Sequence, residues 1–327
     1  MTDFWKDKPR LGAQLAEVSA LMDSTIRDLA FPLAKEVAAL VDSRGKMLRP
    51  AFLLIGAGFG KKAEHSRVLS LAAAIEILHV STLIHDDILD DAELRRGRPT
   101  LHTTLTTKDA VLAGDWLFSR CFLLAAESSG PESARALSRV IAAICSSEIR
   151  QDLDKWSYST SVRAYLRKIA GKTAALFALA LQVGADEAKA PRLQAQGLRR
   201  AGYDIGMAFQ IMDDVLDFES SSDVMRKPVG KDLAEGLCTL PLIMALRRDE
   251  AGVRHLLSRL RPDGATVDPS VVTALLERCA ELGAIEGARV EVRRFTERAK
   301  AEIARLPRCE ARDDLSSLAE RLLSRSY

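Results

Sequence analysis

Apolar positions recur every three to four residues over long stretches of this chain, the period of helices that bury one face. The pattern predicts helices over residues 11–41, 47–59, 66–91, 110–126, 131–156, 162–184 and 191–218, with three or four shorter ones after them. Gly130-Pro131 and Asp268-Pro269 place helix starts, since proline fits the first helical position. Residues 219–236 are polar, rich in Ser, Lys and Gly, and read as a loop. No stretch alternates long enough to make a sheet. The expectation is an all-α protein with one domain over residues 1–327, because no linker marks a boundary.

Two of the predicted helices end on the same acidic pattern. Asp86-Asp87-Ile88-Leu89-Asp90 closes the third, and Asp213-Asp214-Val215-Leu216-Asp217 closes the seventh. The first and last aspartates are one turn apart and project from one face, with Asp87 to the side. Like charges at that spacing destabilise a helix by roughly a few tenths of a kcal/mol. A metal cation reverses the sign of that effect. One such cluster reads equally well as a solvated face. Two with identical spacing, each inside an apolar segment, point to Mg²⁺ held by one or two carboxylates per ion, with substrate phosphates filling other positions. An EF-hand is excluded, because neither cluster has the alternating ligands or the central glycine.

Composition narrows the classes. Aromatics are only 5% of the chain against 47% hydrophobic residues, which favours helix over sheet. A formal charge of +2 argues against a nucleic-acid partner. The cysteines (Cys121, Cys145, Cys238, Cys279, Cys309) are odd in number and form no C-x-x-C, so a reduced, cytoplasmic setting is expected. The N-terminal residues lack a signal-peptide core, and the longest uncharged run, Thr173 to Ala185, is too short to span a bilayer.

Cations gather in sequence near the acidic clusters. Lys46 and Arg49 lie three apart at a helix start, an arrangement suited to phosphate oxygens, although such a pair taken alone is more often a solvated helix end. His79 sits two turns before Asp86 on nearly the same face, either as a core histidine or as a phosphate ligand. Arg95 and Arg96 follow the first cluster at once and can serve as plain ion-pair partners; Lys172, Lys227 and Lys231 are further cations. Ser81 and Thr82, about one turn before Asp86, are small where a large side chain would close a cavity, although small residues also simply let helices approach.

Taken together, these motifs resemble the trans-isoprenyl diphosphate synthases, the polyprenyl synthetase family. The resemblance runs from about Leu40 to Leu242. It rests on Gly45-Lys46-x-x-Arg49-Pro50, His79, Asp86-Asp87-x-x-Asp90 with Leu94-Arg95-Arg96-Gly97, and Gly114-Asp115. It continues through Glu148-x-x-Gln151, Lys172-Thr173, Phe209-Gln210-Ile211-x-Asp213-Asp214-x-x-Asp217, Lys227-Pro228-Val229-Gly230-Lys231-Asp232 and Gly236-x-x-Thr239-Leu240-Pro241. It implies an all-α isoprenoid synthase fold, a large antiparallel bundle around a central cavity, usually a homodimer. It also implies three Mg²⁺ ions, with Mn²⁺ as the alternative, on Asp86, Asp90 and Asp213. Asp87, Asp214 and Lys172 join these as catalytic candidates. Isopentenyl diphosphate then falls to Lys46, Arg49, His79 and Arg96. The allylic diphosphate falls to Arg95, Lys172, Thr173, Gln210, Lys227 and Lys231. Departures from the family pattern are Arg44, Met47, Ser147, Arg226 and Leu237.

The implied reaction is head-to-tail condensation of isopentenyl diphosphate with an allylic diphosphate. In the family a bulky aromatic four or five residues before the first aspartate stops growth early. Thr82 and Ser81 hold those positions here, so a product beyond fifteen carbons is expected, and Ser81→Phe is expected to shorten it. The alternatives are a short-chain farnesyl or geranylgeranyl diphosphate synthase, a terpene cyclase, and a regulatory subunit.

Overall fold

The computed structural model describes residues 3–29, 32–42, 45–95, 97–219, 230–261 and 266–323. Its first helices are α1 (Pro9–Ile26), α2 (Leu33–Asp42), α3 (Leu48–Ala57), α4 (His65–Leu89), α5 (Leu101–Thr104), α6 (Thr107–Ser128) and α7 (Pro131–Leu153). Then come α8 (Val162–Ile169), a π-helical segment (Ala170–Ala174), α9 (Ala175–Glu187) and α10 (Arg192–Glu219). The remainder is α11 (Lys231–Ala234), α12 (Leu240–Arg248), α13 (Glu250–Leu260), α14 (Pro269–Glu281), α15 (Ala284–Ala304) and α16 (Glu310–Leu323). The strands among the described residues are β1 (Leu94–Arg95) and β2 (Arg98–Pro99), a two-residue antiparallel pair in the basic turn.

The expected all-α class stands. One boundary does not: residues 11–41, expected as one helix, form α1 and α2. The apolar stripe runs on through Leu29 and Val37, but α1 ends at Ile26, and Pro32, which lacks an N–H, stands directly before the first residue of α2. Where three or four short helices were expected after α11, five follow among the described residues, α15 being 21 residues long. Local chemistry accounts for several starts. The Thr106 hydroxyl accepts from the Asp109 N–H at 3.1 Å, the Ser161 hydroxyl from Ala164 at 3.2 Å and the Asp268 carboxylate from Ser270 at 2.8 Å, each satisfying an orphan donor of the first turn.

The chain packs as two compact units. The first comprises Met1–Arg139, Phe177–Arg199 and Arg305–Ser317; the second comprises Val140–Leu176, Arg200–Ala304 and Leu318–Tyr327. Each is built from three separated segments, so no single linker divides them, and none is visible in the sequence.

In the first unit α4 is the core helix. By length and composition it could cross a bilayer, yet 67% of its apolar stretch is buried inside the fold. It lies against α6 so closely that Gly114 is required: a Cβ there would overlap the His85 imidazole. The Ser81 hydroxyl, fully buried, donates to the Gly114 carbonyl at 2.9 Å. In the second unit the buried faces of α10, α12, α14 and α15 supply the core, including Leu242, Ile243, Leu275 and Val292. All five cysteines are free thiols.

Candidate active site

Each unit carries one acidic cluster at the C-terminal end of a long helix. Helix ends of that polarity disfavour carboxylates, which adds to the cost of grouping them. In the first unit α4 ends at Leu89, with Asp90 as its C-cap. Asp87 is 3% exposed and accepts from Arg95 Nε at 2.7 Å. The ion-pair role foreseen for Arg95 is therefore real, and the pair holds the guanidinium beside the acidic turn. Asp86 and Asp90 are half-buried. Asp115, next to Gly114, lies 3.5 Å from His85 Nε2, which explains the Gly-Asp pair: glycine admits the imidazole and aspartate meets it.

Lys46 and Arg49 stand at the start of α3. The Lys46 ammonium lies 4.9 Å from the centroid of the Phe4 ring, and the Arg49 guanidinium 5.4 Å from that of Phe177. Met47, between them, has φ +50°, the left-handed region that suits glycine. Thr82 is half-buried and returns its hydroxyl to the His79 carbonyl at 2.8 Å. An apolar cavity of about 10 Å³, lined by Leu71, Ala74, Ile75, Leu137, Leu179 and Val183, lies fifteen residues down α4 from Asp86.

In the second unit a continuous set of hydrogen bonds fixes the other cluster. Thr173 Oγ1 donates to Gln210 Oε1 at 2.7 Å, Gln210 Nε2 donates to Asp214 Oδ1 at 2.9 Å, and Tyr165 OH donates to Asp214 Oδ2 at 2.6 Å. Lys172 bridges both oxygens of Glu148, at 2.9 and 3.0 Å, and Gln151 Nε2 reaches the same carboxylate at 3.3 Å. Lys172 and Thr173 ride on the π-helical segment, an irregularity common at functional sites. Asp217 accepts the backbone N–H groups of Lys231 (3.1 Å) and Asp232 (3.0 Å), so the last aspartate of the motif caps α11 and fixes Lys231 beside the cluster. Lys231 itself pairs with Glu235 at 3.1 Å. Asp213 is exposed, whereas Asp214 is only 6% exposed. Arg96 and Lys227, with the departures Arg44 and Arg226, lie outside the described residues.

Burial, more than neighbouring charge, sets the electrostatics of the second cluster. Burial pushes the Asp214 carboxyl up to about 6, against the hydrogen bonds from Tyr165 and Gln210 and the charge of Lys168, with Asp213 adding to the rise. Burial, then the carboxylates of Asp214, Asp217 and Glu235, hold Asp232 well above the usual carboxylate range. Burial and Asp214 likewise raise the Tyr165 hydroxyl. A hard divalent cation with oxygen ligands suits such a donor set. Among the described residues no three His, Cys, Asp or Glu side chains converge tightly enough to hold a metal by themselves.

The sequence alone missed Tyr165, Lys168 and the capping role of Asp217. Tyr165 had a signal, seven residues before Lys172, but nothing linked it to Asp214. Lys168 and the departure Leu237 both line a cavity of about 330 Å³ between α7 and α8. Ser147 has a compensating partner: Gly171 faces it, and a Cβ at Gly171 would overlap the Ser147 hydroxyl.

Comparison with known proteins gives the same assignment. The polyprenyl synthetase family model matches residues 32–277. The chain belongs to the polyprenyl synthetase family. It is 35% identical to heptaprenyl diphosphate synthase component 2 of Geobacillus stearothermophilus, over 97% of both chains. It is 34% identical to an all-trans-nonaprenyl-diphosphate synthase (geranyl-diphosphate specific) of Rhodobacter capsulatus, over 96% of both. The structure of a polyprenyl synthase from Caulobacter crescentus CB15, solved with calcium and isoprenyl diphosphate, superposes with a TM-score of 0.89 at 30% identity, covering 96% of this chain and 95% of that one. As a polyprenyl synthetase with the isoprenoid synthase fold, the protein is a prenyltransferase.

Proposed function

We propose that the protein condenses isopentenyl diphosphate head-to-tail with an allylic diphosphate primer, giving a trans-polyprenyl diphosphate longer than fifteen carbons. The observation that carries this reading is the pair of acidic helix ends, each with its second aspartate sequestered by a protein donor and with cations tied nearby. The long-chain relatives support the product class.

Asp86, Asp90 and Asp213 would hold Mg²⁺, three ions by the family pattern; the calcium in the Caulobacter relative supports oxygen ligation of a divalent ion. When bound, the metal supplies Lewis-acid stabilisation of the leaving diphosphate. Arg95, Lys172 and Lys231, with Lys227, bind the allylic diphosphate and stabilise the charge that builds as its C1–O bond breaks. Lys172 can swing from Glu148 to the substrate without leaving the cluster, and Thr173 and Gln210 keep Asp214 oriented. Lys46, Arg49 and His79, with Arg96, hold isopentenyl diphosphate so that its double bond attacks the allylic carbon. The proton then lost passes to the released diphosphate.

We further propose that the protein works as a homodimer in the cytoplasm. Along α6, Val111, Leu112, Phe122 and Leu123 are 39–50% exposed on one side, an apolar stripe suited to a second copy. Five unpaired thiols suit a reducing compartment. The relatives named component 2 favour a second reading, an assembly with a different subunit. The deciding experiment incubates the purified chain with Mg²⁺, isopentenyl diphosphate and primers of several lengths, then sizes the products. Activity of the chain alone excludes an obligate partner, and turnover without isopentenyl diphosphate would indicate a cyclase. Asp86→Ala and Asp213→Ala should each lower turnover roughly a hundredfold or more. Near-normal turnover in either defeats the assignment.

A further inference from the structure

The N-terminal turn reaches the stretch assigned to isopentenyl diphosphate. Residues Asp3–Trp5 form one 3₁₀ turn, tied to α1 by the Lys8 N–H donating to the Trp5 carbonyl at 3.0 Å. Trp5 is 5% exposed, and its Nε1 donates to the Lys46 carbonyl at 2.9 Å across 41 residues of chain. The Phe4 ring stands edge-on to Trp5, with centroids 4.8 Å apart, and also faces the Lys46 ammonium. Met47 is in the left-handed region at φ +50°, and as the N-cap of α3 it makes no side-chain capping bond. A left-handed non-glycine residue persists only where its surroundings enforce it.

We propose that Trp5 and Phe4 are positioning residues for the isopentenyl diphosphate subsite. Trp5 clamps the Lys46 carbonyl and so holds the peptide that leads into the strained Met47. Phe4 confines the Lys46 ammonium through a cation–π contact, reducing the rotamer freedom that a flexible lysine loses on gripping a phosphate. The inference rests on the reading of Lys46 as a ligand of that substrate. It adds a specific claim: the chain's first turn sets affinity for one substrate and leaves the other alone.

Steady-state kinetics with each substrate varied in turn test it. Trp5→Phe keeps an apolar ring and removes the donor. It should raise KM for isopentenyl diphosphate about threefold to tenfold, the scale of one lost hydrogen bond. KM for the allylic primer and kcat should stay within about twofold. Phe4→Leu should act in the same direction, and Phe4→Tyr, which retains the π face, should restore the parent value. Lys46→Met separates the two levels of the argument. If it leaves KM for isopentenyl diphosphate unchanged, the Lys46 assignment fails. If it raises that KM while Trp5→Phe and Phe4→Leu do not, the clamp fails and the assignment stands. Equal rises in both KM values, or a fall in kcat that follows melting temperature, mark a purely structural role and overturn the proposal. Should Trp5→Phe not fold, the Phe4→Leu and Phe4→Tyr pair decides alone.

Discussion

Substitution at Thr82 should shorten the product, and substitution at its neighbour Ser81 should not do so cleanly. The argument starts from the rise of α4. Thr82 precedes Asp86 by four residues, about 6 Å of helix axis, and lies within half a quadrant of it around the helix. Four C–C bonds, one isoprene repeat, advance an extended chain by about 5 Å. A tail anchored at Asp86 and Asp90 and running down α4 therefore passes Thr82 during its second repeat. A phenylalanine there leans toward the helix N-terminus and blocks further growth at about ten to fifteen carbons. Further along the same stripe Ile75 and Leu71, about 16 and 22 Å from Asp86, line the small apolar cavity, a distance of roughly three to four repeats. Ser81 behaves differently. It is fully buried and bonded to the Gly114 carbonyl, so a phenylalanine there meets the α6 backbone before it meets any tail. Overpacking of that kind costs about 1–3 kcal/mol or more. The assay is product sizing by mass spectrometry, with thermal melts of both variants. Thr82→Phe should keep its melting temperature and yield C10–C15 products, whereas Ser81→Phe should melt lower. A parental product ladder from well-folded Thr82→Phe refutes the course proposed for the tail.

Two further substitutions probe the second unit. Tyr165→Phe deletes the donor to buried Asp214 Oδ2 and leaves that oxygen unsatisfied, so urea denaturation should show a loss of about 1–3 kcal/mol; no change would mean that Asp214 is held without it. Asp204, 2% exposed on α10, is pushed up to about 6 by burial and by Glu302, despite Arg298 Nη2 at 3.0 Å from its Oδ1. An acid whose folded pKa is raised favours folding when protonated, so its contribution is fully present below about 4 and is lost as pH rises through about 6. The stability of Asp204→Asn relative to the parent should therefore rise by about 2–3 kcal/mol between pH 4 and pH 7; a pH-independent difference in chemical denaturation contradicts the raised pKa.

How much of this was legible beforehand follows from what periodicity records. It records which face of a segment is buried, and so α3, α4, α6, α10 and the two acidic ends were placed within a few residues. It does not record a backbone break inside an unbroken apolar stripe, and so the gap between Ile26 and Leu33 divides what looked like one helix. Nor does it record pairings across long separations. Trp5 with Lys46, and Tyr165 with Asp214, leave no spacing signal, because their partners are 41 and 49 residues away. For the cations of the site, spacing named the residues, but the partners came only from the fold: Arg95 on Asp87, Lys172 on Glu148.

The two acidic motifs also share a logic that their spacing alone conceals. An aspartate one residue after another is turned 100° round the helix, and at the fourth position the chain has nearly returned to the first face. In α4 the second aspartate faces inward, buried on Arg95; in α10 the second faces inward, buried on Tyr165 and Gln210. The motif is thus not three equivalent ligands. Its second member converts burial into rigidity by binding a group from elsewhere in its own unit. The third member differs between the copies: Asp90 ends its helix as a C-cap, whereas Asp217 holds two backbone N–H groups of α11. The same carboxylate thereby ties the end of α10 to the turn that carries Lys231.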